Sequence, residues 1–447
     1  MTFPCYPKYK ASGFIWLGDV PESWALKRLG HYFDERRERA SDTEFEPLSV
    51  TKQGIVPRLE SAAKTQDGDN RKKVLAGDFV INSRSDRKGS SGLSPLDGSV
   101  SLICTVLTPS GLHGQFIHYL FRSELFQEEY YRWGKGIVAD LWSTNFSDMK
   151  NIVLGVPSEA EQIQIARFLD HETTRIDALI EDQQRLIELL KEKRQSVISH
   201  AVTKGLDPTV PMKDSCVEWL GEVPAHWDVG ALRWYATIQG GVAKGKDYEG
   251  RETVLMPYLR VANVQNGFVD LSEVNEISVL ESEVERYSLR AGDVLMNEGG
   301  DNDKLGRGTV WQGQISPCLH QNHVFAIRPN GLLKAEWLAT FTQSEQARIY
   351  FFLNSKQSTN LASISASNAM GLALPIPSVN EQEEILAYLD QDRARHEQLV
   401  GVATSTVELL QERRSALISA AVTGKIDVRG WQPAASAPSP ELVEEAV

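Results

Sequence analysis

Residues 157–203 read PSEAEQIQIARFLDHETTRIDALIEDQQRLIELLKEKRQSVISHAVT, and residues 377–423 read PSVNEQEEILAYLDQDRARHEQLVGVATSTVELLQERRSALISAAVT. The two segments align without a gap and share 19 identical residues in 47 positions. A shorter pair repeats in the same order, because WLGDVPESW (16–24) and WLGEVPAHW (219–227) are identical at six of nine positions. The chain is therefore a tandem repeat, and each copy holds a divergent insert between its nonapeptide and its long segment.

Each long segment has the periodicity of one continuous helix, because its apolar residues recur at the spacings of a coiled-coil seam. A Pro-Ser pair followed by Glu-Gln predicts a capped start, and Gly205 and Gly424 predict the two ends. A helix of about 42 residues spans roughly 60 Å. The predicted seam residues are Leu169, Ile176, Leu179, Leu186, Leu190, Val197 and Ala201 in the first segment, and Leu389, Leu399, Val407, Leu410, Leu417 and Ala421 in the second, with His396 at a seam position.

The two inserts are predicted to be mixed α/β domains that share one fold, because their elements follow in the same order. A helix is predicted at 116–133 in the first insert and at 334–352 in the second. The predicted strands are 47–56, 78–82 and 99–107 in the first insert, and 257–265, 293–297, 308–312 and 323–329 in the second.

Composition and charge narrow the class of protein. No stretch has the roughly 20 consecutive apolar residues of a membrane helix, and the first residues lack the apolar core of a signal peptide. The four cysteines are scattered, which favours reduced thiols in a cytoplasmic protein without a membrane partner. A net charge of −13 argues against a simple non-specific DNA binder, but residues 71–88 carry six basic and two acidic residues. This pattern suits a protein that shares its DNA affinity with a partner.

The sequence contains no recognisable catalytic motif. GGVAKGKD (240–247) has the glycines and lysine of a phosphate loop, but Asp247 stands where Ser or Thr would hold magnesium. His320 and His323 lack an acidic or thiol partner at a metal-ligand spacing. G-x-S-x-G, H-E-x-x-H, G-x-G-x-x-G and Pro-Pro are all absent. We therefore predict a non-catalytic chain with no cofactor and no metal of its own.

Both inserts carry residues suited to DNA recognition after a matching strand, LAGDFVIN (75–82) and RAGDVLMN (290–297). Arg pairs with guanine, Asn or Gln pairs with adenine in the major groove, and Lys and Arg neutralise phosphates. The alternative reading is a set of solvated loop side chains, but the equivalent positions of the two loops favour DNA contact. The candidate DNA-binding residues are Lys72, Lys73, Asn82, Arg84, Arg87, Lys88 and Ser90 in the first insert, and Lys244, Lys246, Arg260, Asn263, Gln265, Asn297, Lys304 and Arg307 in the second.

These motifs together resemble the specificity subunit of type I restriction–modification enzymes. The resemblance rests on the nonapeptide before each insert, YLRVANVQNG (258–267), GDVLMNEGG (292–300), and P-S-x-x-E-Q before each long helix. It covers the chain from about residue 13 to about residue 425. Each motif is weak by itself, whereas their order and repetition are specific.

The resemblance implies an α+β fold with two mixed α/β target-recognition domains in tandem. Long helices would separate them and pack as an antiparallel coiled coil with pseudo-twofold symmetry. The implied parts are an N-terminal arm and first target-recognition domain (1–155), a first helical spacer (156–203), a linker (204–215), a second target-recognition domain (216–375), a second helical spacer (376–425) and a disordered tail (426–447).

The same resemblance implies that each domain reads one half of a bipartite, asymmetric site in double-stranded DNA. Two modification (methyltransferase) subunits and restriction (motor-nuclease) subunits would be the partners. S-adenosylmethionine, ATP and magnesium would belong to those partners. The alternative that we retain from the residues alone is a coiled-coil scaffold whose two domains bind protein partners.

Overall fold

The computed structural model describes residues 3–60, 68, 70–136, 142–245, 248–300, 305–357 and 362–433. The chain divides into two compact units. Unit 1 comprises Met1–Gln184 and Ser405–Val447, and unit 2 comprises Arg185–Thr404. Both divisions fall inside the repeated long segments, so each unit holds one insert and part of each segment. The boundaries between the six parts drawn from the sequence stay a prediction.

In the described part of unit 1, short strands come first and are followed by three short helices, a last strand and the first long helix. The strands are β1 (Tyr9–Ala11), β2 (Asp19–Pro21), β3 (Ala25–Arg28), β4 (Phe33–Glu35), β5 (Arg39–Ala40), β6 (Leu48–Thr51), β7 (Gly54–Pro57), β8 (Arg71–Val74), β9 (Phe79–Asn82), β10 (Ser91–Leu93), β11 (Gly98–Val100), β12 (Cys104–Pro109) and β13 (Val153–Val156). The helices are α1 (Gly114–Arg122), α2 (Glu124–Arg132), α3 (Phe146–Met149) and α4 (Glu159–Lys204), which runs on into unit 2.

Unit 2 repeats this order with further elements inserted. Its strands are β14 (Met212–Asp214), β15 (Glu222–Pro224), β16 (Asp228–Ala231), β17 (Ala236–Gln239), β18 (Val254–Leu259), β19 (Asn275–Val279), β20 (Val294–Asn297), β21 (Gly299–Gly300), β22 (Gly308–Val310), β23 (Leu319–His320), β24 (Val324–Pro329), β25 (Lys356–Gln357), β26 (Ala362–Ser363) and β27 (Ala373–Ile376). Its helices are α5 (Glu281–Tyr287), α6 (Ala335–Phe341), α7 (Glu345–Asn354), α8 (Ala366–Ala369) and α9 (Val379–Val422), whose last part belongs to unit 1.

A four-stranded antiparallel sheet forms the centre of each insert. Its order is β10-β9-β12-β4 in unit 1 and β22-β20-β24-β17 in unit 2, so equivalent strands take equivalent places. Alternate side chains of β9 enter different cores, since Phe79 and Ile81 pack with α1 and α2 whereas Val80 packs with the β6–β8 region. This alternation is what the two-residue period of a strand dictates. The prediction that both inserts share one fold is confirmed.

Two predicted strands of the first insert are in fact two strands each. Residues 47–56 form the hairpin β6–β7, because Thr51 Oγ1 accepts from the Gln53 N–H (3.1 Å) and donates to the Gly54 carbonyl (3.0 Å). A threonine that bonds its own backbone in this way starts a turn. Residues 99–107 divide between β11 and β12, where the Cys104 N–H donates to the Ser101 carbonyl (3.0 Å).

The predicted strand at 257–265 ends early, and a 3-10 turn at Val261–Asn263 follows β18. Asn263 is the cause, because its Oδ1 accepts from the Arg260 N–H (2.8 Å) while its side-chain amide donates to the carbonyls of Asp270 (2.8 Å) and Glu273 (2.9 Å). A side chain that bonds nearby backbone groups competes with the strand ladder.

Each predicted insert helix is also divided in two, because a serine caps a new helix at the same place in both units. Ser123 Oγ accepts from the Phe126 N–H (3.4 Å) to start α2, and Ser344 Oγ accepts from the Ala347 N–H (3.2 Å) to start α7. Serine is a favoured N-cap residue because its hydroxyl satisfies an otherwise unpaired N–H.

The two long helices are confirmed, but their buried faces differ from the predicted seams. Leu179 and Leu186 are each 42% exposed and Leu399 is 47% exposed. A straight helix drifts relative to a strict seven-residue repeat, so distant residues leave the shared face. His396 is buried at its seam position without interrupting α9, and its Nδ1 lies 3.1 Å from Asp392 Oδ2.

Within each unit, the early part of one long helix packs with the late part of the other. In unit 1, Phe168 and Leu169 of α4 share a core with Leu417 of α9. In unit 2, Val202 of α4 shares a core with Ile385 of α9. Each unit therefore has its own core in which segments of both long helices take part.

The predicted disordered tail at 426–447 is wrong for its first part. Val428 is fully buried, and Gln164 Nε2 donates to the carbonyls of Val428 (3.0 Å) and Trp431 (2.6 Å). The Trp431 ring packs edge-on against Phe168. Residues 434–447 lie outside the described part of the chain. Among the helices described, none is long and apolar enough to cross a membrane.

Candidate nucleic-acid interface

The first nonapeptide anchors its insert to the helices of unit 1. Trp24 is fully buried, and its Nε1 donates to Glu161 Oε1 (2.9 Å) near the start of α4. Tyr6 donates to the same carboxylate oxygen (2.6 Å). The indole also packs against the end of α9, because a Cβ added to Gly424 would lie 3.2 Å from the Trp24 ring. The nonapeptide thus joins the start of one long helix to the end of the other.

The second nonapeptide makes the same contacts within unit 2. Trp227 is fully buried, and its Nε1 donates to Glu381 Oε1 (2.9 Å). A Cβ added to Gly205 at the end of α4 would lie 3.3 Å from the Trp227 ring. Each copy of the nonapeptide therefore anchors its insert to the long helices, and the glutamate of each Glu-Gln pair bonds a tryptophan instead of closing a capping box.

The glutamine of each Glu-Gln pair also joins its long helix to the insert by hydrogen bonds. Gln162 Oε1 accepts from the His113 N–H (2.8 Å), and Gln382 Oε1 accepts from the Lys334 N–H (2.9 Å), in each case just before a helix of the insert. Each side-chain amide donates to the proline carbonyl five residues earlier (3.0 Å). The repeated polar residues therefore fix each insert on its helices, and the residues that differ between the units are left for recognition.

In unit 1 the loop after β9, residues 83–90, projects three cations from a rigid base. Asn82 is buried, its N–H donates to the Ser90 carbonyl (2.9 Å), and its Oδ1 accepts from the Arg84 N–H (3.2 Å). Ser90 is buried as well. These two predicted DNA-binding residues close the loop, while Arg84, Arg87 and Lys88 are exposed.

The exposed cations of this loop are weakly held. The Arg87 side chain is 67% exposed and its Nε lies 3.6 Å from Asp86, while Lys88 pairs with Glu128 across the surface. Surface pairs of this kind contribute little free energy. These cations can therefore exchange their present partners for DNA phosphates or base edges at low cost.

Lys72 and Lys73, by contrast, are engaged within the fold. Lys72 Nζ donates to the Cys104 carbonyl (2.8 Å) and lies 3.4 Å from Glu35, with its side chain only 16% exposed. Lys73 Nζ lies 3.1 Å from Glu38, and this hydrogen bond lowers the pKa of the Glu38 carboxyl. Both lysines hold β8 to its neighbours, and neither projects from the loop that carries Arg84.

In unit 2 two of the predicted base-reading residues serve the fold. Asn263 is buried and holds the turn after β18, as described above. Asn297 ends β20, and its Nδ2 donates to the carbonyls of Val261 (3.3 Å) and Val264 (3.2 Å) of the same turn. The two asparagines therefore hold one turn against one strand end.

The other predicted residues of unit 2 are distributed around that turn. Gln265 is exposed, with its Nε2 donating to the Ala262 carbonyl (2.7 Å), and the partly exposed Arg260 lies 3.2 Å from Glu273. Lys244 is exposed and Arg307 is partly buried. Lys246 and Lys304 lie outside the described residues.

Sequence reasoning missed a second polar strand segment beside each loop. In unit 1, Ser143 forms isolated antiparallel β-bridges with Arg84 and with the exposed Lys135. In unit 2, β26 pairs with β21 and with β25, which carries the exposed Lys356 and Gln357. Each segment follows the second insert helix directly, so the shared pattern of helix, lysine and serine could have revealed it.

The described residues give the two alternative sites considered from the sequence other surroundings than such sites need. Val242 of the glycine loop pairs with Gln321 in a parallel bridge, and among the described residues the next regular element is the strand β18, where a phosphate loop would lead into a helix. His320 is buried, burial lowers its pKa, and its Nδ1 lies 2.7 Å from the Val324 carbonyl. Among the described residues, no group of three His, Cys, Asp or Glu is placed to hold a metal ion.

Comparison with known proteins shows what this fold resembles. No family model matches the chain. The type I restriction enzyme EcoKI specificity subunit of Escherichia coli K12 is 24% identical over 389 residues, which cover 83% of this chain and 78% of that protein. The StySPI specificity subunit of Salmonella potsdam is 22% identical over 379 residues, with the same two coverages, 83% and 78%.

Solved structures show the same architecture. A chain from a structure concerned with assembly and conformational transition of the type I R-M system matches with a TM-score of 0.65 and 18% identity, covering 90% of this chain and 98% of its own. The HsdS subunit from Thermoanaerobacter tengcongensis matches with a TM-score of 0.53 and 18% identity, covering 91% and 98%. The resemblance stated from the sequence is confirmed.

Proposed function

We propose that this chain, a relative of type I restriction enzyme specificity subunits, recognises a bipartite DNA sequence on behalf of partner subunits. The observation that carries the proposal is the contrast between the two repeats. The contacts that hold each insert to the long helices are the same in kind and position. The exposed polar residues at the ends of the equivalent strands differ. Because both inserts are held in the same way but present different exposed residues, they are suited to reading two different half-sites.

Recognition would divide between base-reading and phosphate-binding side chains. In unit 1, Arg84 and Arg87 are exposed and able to donate two hydrogen bonds to a guanine edge, and Lys88 suits a phosphate. In unit 2, Gln265 suits an adenine edge, and Lys356 lies on the neighbouring segment. Asn82, Asn263 and Asn297 position these surfaces through backbone hydrogen bonds.

The chemistry would belong to the partners. Two modification subunits would methylate adenines with S-adenosylmethionine, and restriction subunits would use ATP and magnesium. The antiparallel helices would provide their frame, with the two units in pseudo-twofold relation. Such an assembly acts on DNA in the cytoplasm.

The experiment that tests this function is a map of methylated adenines. The chain is expressed with its modification subunit in a host without other adenine methylation, and methylated sites are identified by sequencing. We expect one asymmetric sequence of two specific halves separated by a fixed non-specific gap. Methylation that is absent, or that falls on a single continuous sequence, would contradict the proposal and favour a protein-binding scaffold.

Removing the three loop cations should weaken binding of the assembled complex to its site. We expect Arg84→Ala, Arg87→Ala and Lys88→Ala together to reduce affinity by about 100-fold or more, because each lost base or phosphate contact costs about 1–3 kcal/mol. The matched control removes three other exposed cations that lie off the long helices, Lys8, Lys213 and Arg286. Titration of the specific duplex at one salt concentration measures the effect, and equal affinities for the two triple variants would refute the role of this loop.

A further inference from the structure

Unit 1 contains a basic cleft that lies apart from the loop at 83–90. Its volume is about 470 Å³, and it is lined by Lys27, Arg28, Gly30, His31, Lys150 and Asn151. No carboxylate is among these described lining residues. Such a concentration of cations is notable in a chain whose net charge is −13.

The backbone of the cleft is fixed by the pairing of β3 with β13. The Leu29 N–H donates to the Ile152 carbonyl (2.8 Å), and the Gly30 N–H donates to the Lys150 carbonyl (2.9 Å). A Cβ added to Gly30 would lie 3.0 Å from Lys150 Cβ, so glycine permits this close approach. Cations from the two ends of the insert are thereby brought into one cleft.

The cations of the cleft are available to a ligand. In the described part of the chain, Lys27, Arg28 and Lys150 are exposed and form no ion pair with a carboxylate. Lys27 Nζ instead lies 3.1 Å from Nε2 of His31. Like charges held together without a counter-ion repel each other, and a bound anion relieves that repulsion.

Unit 2 has the same backbone arrangement with fewer cations. The Leu232 N–H donates to the Leu372 carbonyl (2.8 Å), and the Arg233 N–H donates to the Met370 carbonyl (3.0 Å). The places of Lys27, Arg28, His31 and Lys150 are taken by Gly230, Ala231, Trp234 and Met370, while the exposed Arg233 takes the place of Gly30. The shared backbone arrangement therefore does not require the cluster of cations found in unit 1.

A series of contacts connects the cleft to the predicted recognition loop of unit 1. Arg84 and Lys135 each form an isolated β-bridge with Ser143. Lys135 Nζ lies 2.6 Å from Asp148 Oδ1 in α3, and Lys150 follows directly after that helix. The loop and the cleft are therefore joined by one short path of contacts that carries a further cation, Lys135.

We propose that this cleft binds phosphates of the DNA backbone beside the half-site read by unit 1, and that unit 2, with Arg233 as its cation at the equivalent place, makes a weaker contact. The proposal rests on the proposed function. Duplex DNA presents one charge per about 1.7 Å of axis, so a duplex held by the loop offers phosphates at closely spaced positions along its length. Such contacts fix register and add affinity without reading sequence.

The test is the salt dependence of DNA binding by the complex with its modification subunit. We expect Lys27→Ala, Arg28→Ala and Lys150→Ala together to reduce the slope of log K against log salt by about 2–3, since each phosphate contact contributes about 0.9. The loss should be equal on specific and non-specific duplexes, and the methylated sequence should not change. The Lys8, Lys213 and Arg286 triple variant is the control of equal charge.

Two further arms identify the ligand. Shortening the duplex beyond the half-site of unit 1 should lower the affinity of the unsubstituted complex and leave the triple variant unaffected. The charge-conserving changes Lys27→Arg, Arg28→Lys and Lys150→Arg should retain the slope, which separates loss of charge from loss of folding.

Several outcomes would overturn the inference. An unchanged slope, with assembly of the modification subunits lost instead, would assign the cleft to an acidic protein surface. A changed methylated sequence would make these residues base readers. Either result leaves the proposed function standing, whereas that function fails only if the unsubstituted complex recognises no bipartite site.

Discussion

Exchanging residues 33–145 for the equivalent segment of a relative is expected to replace one half of the methylated sequence and leave the other half unchanged. The exchange begins at β4 and ends before α3, so it replaces the central sheet of the first insert with its loops. Trp24, Glu161 and the cleft cations Lys27 and Lys150 stay in place. The Trp24–Glu161 contact therefore persists, and the bond to Gln162 needs only a backbone N–H at position 113, while the reading surface changes.

The expected effect on the original site is large. Specific protein–DNA complexes are typically about 10³–10⁷ tighter than non-specific ones, and a chimera that mismatches a whole half-site loses most of that difference. Methylated adenines in a host that expresses the chimera give the new sequence, and titration of the original duplex gives the lost affinity.

The matched exchange uses residues 236–365 of unit 2, which begin at β17 and end before α8. It should change the opposite half of the sequence. If either exchange altered both halves, or neither, the two inserts would not act as separate readers.

Truncating either anchoring tryptophan should destabilise its unit. We expect Trp24→Ala and Trp227→Ala each to reduce the free energy of unfolding by about 3–5 kcal/mol, because each removes a large buried side chain. Each also removes a hydrogen bond from a buried or partly buried glutamate, Glu161 or Glu381. Urea denaturation followed by circular dichroism measures the change.

Trp234→Ala provides the control, since this tryptophan is 67% exposed. Its substitution should change stability by less than about 0.5 kcal/mol. If Trp24→Ala reduced the free energy of unfolding as little as the control does, the nonapeptide would not be what holds the insert to its helices. A second variant, Trp24→Phe, keeps most of the apolar volume and should lie between the two, because it loses chiefly the hydrogen bond.

Residue type alone proved a poor guide to which polar side chains face DNA. Asn263 and Asn297 have the chemistry to read adenine, yet both bond backbone groups of one turn. Lys72 has the chemistry to bind a phosphate, yet it bonds the Cys104 carbonyl. The energetic reason is that a buried carbonyl without a partner costs about 1–3 kcal/mol, so nearby amides and ammonium groups are drawn inward. Arg84, Arg87 and Lys88 are not needed as partners for buried carbonyl groups, because they project from a loop that Asn82 already closes.

The sequence by itself determined the tandem repeat, including the repeated nonapeptide, the two long helices and the shared insert fold. Each follows from periodicity or from identity between copies, which are properties of the chain read in order. The tertiary structure alone decided where the insert helices divide, which polar residues are buried, and that Lys27 and Lys150 meet in one cleft. Those features depend on which backbone groups distant segments leave unpaired, and only the folded chain brings those segments together.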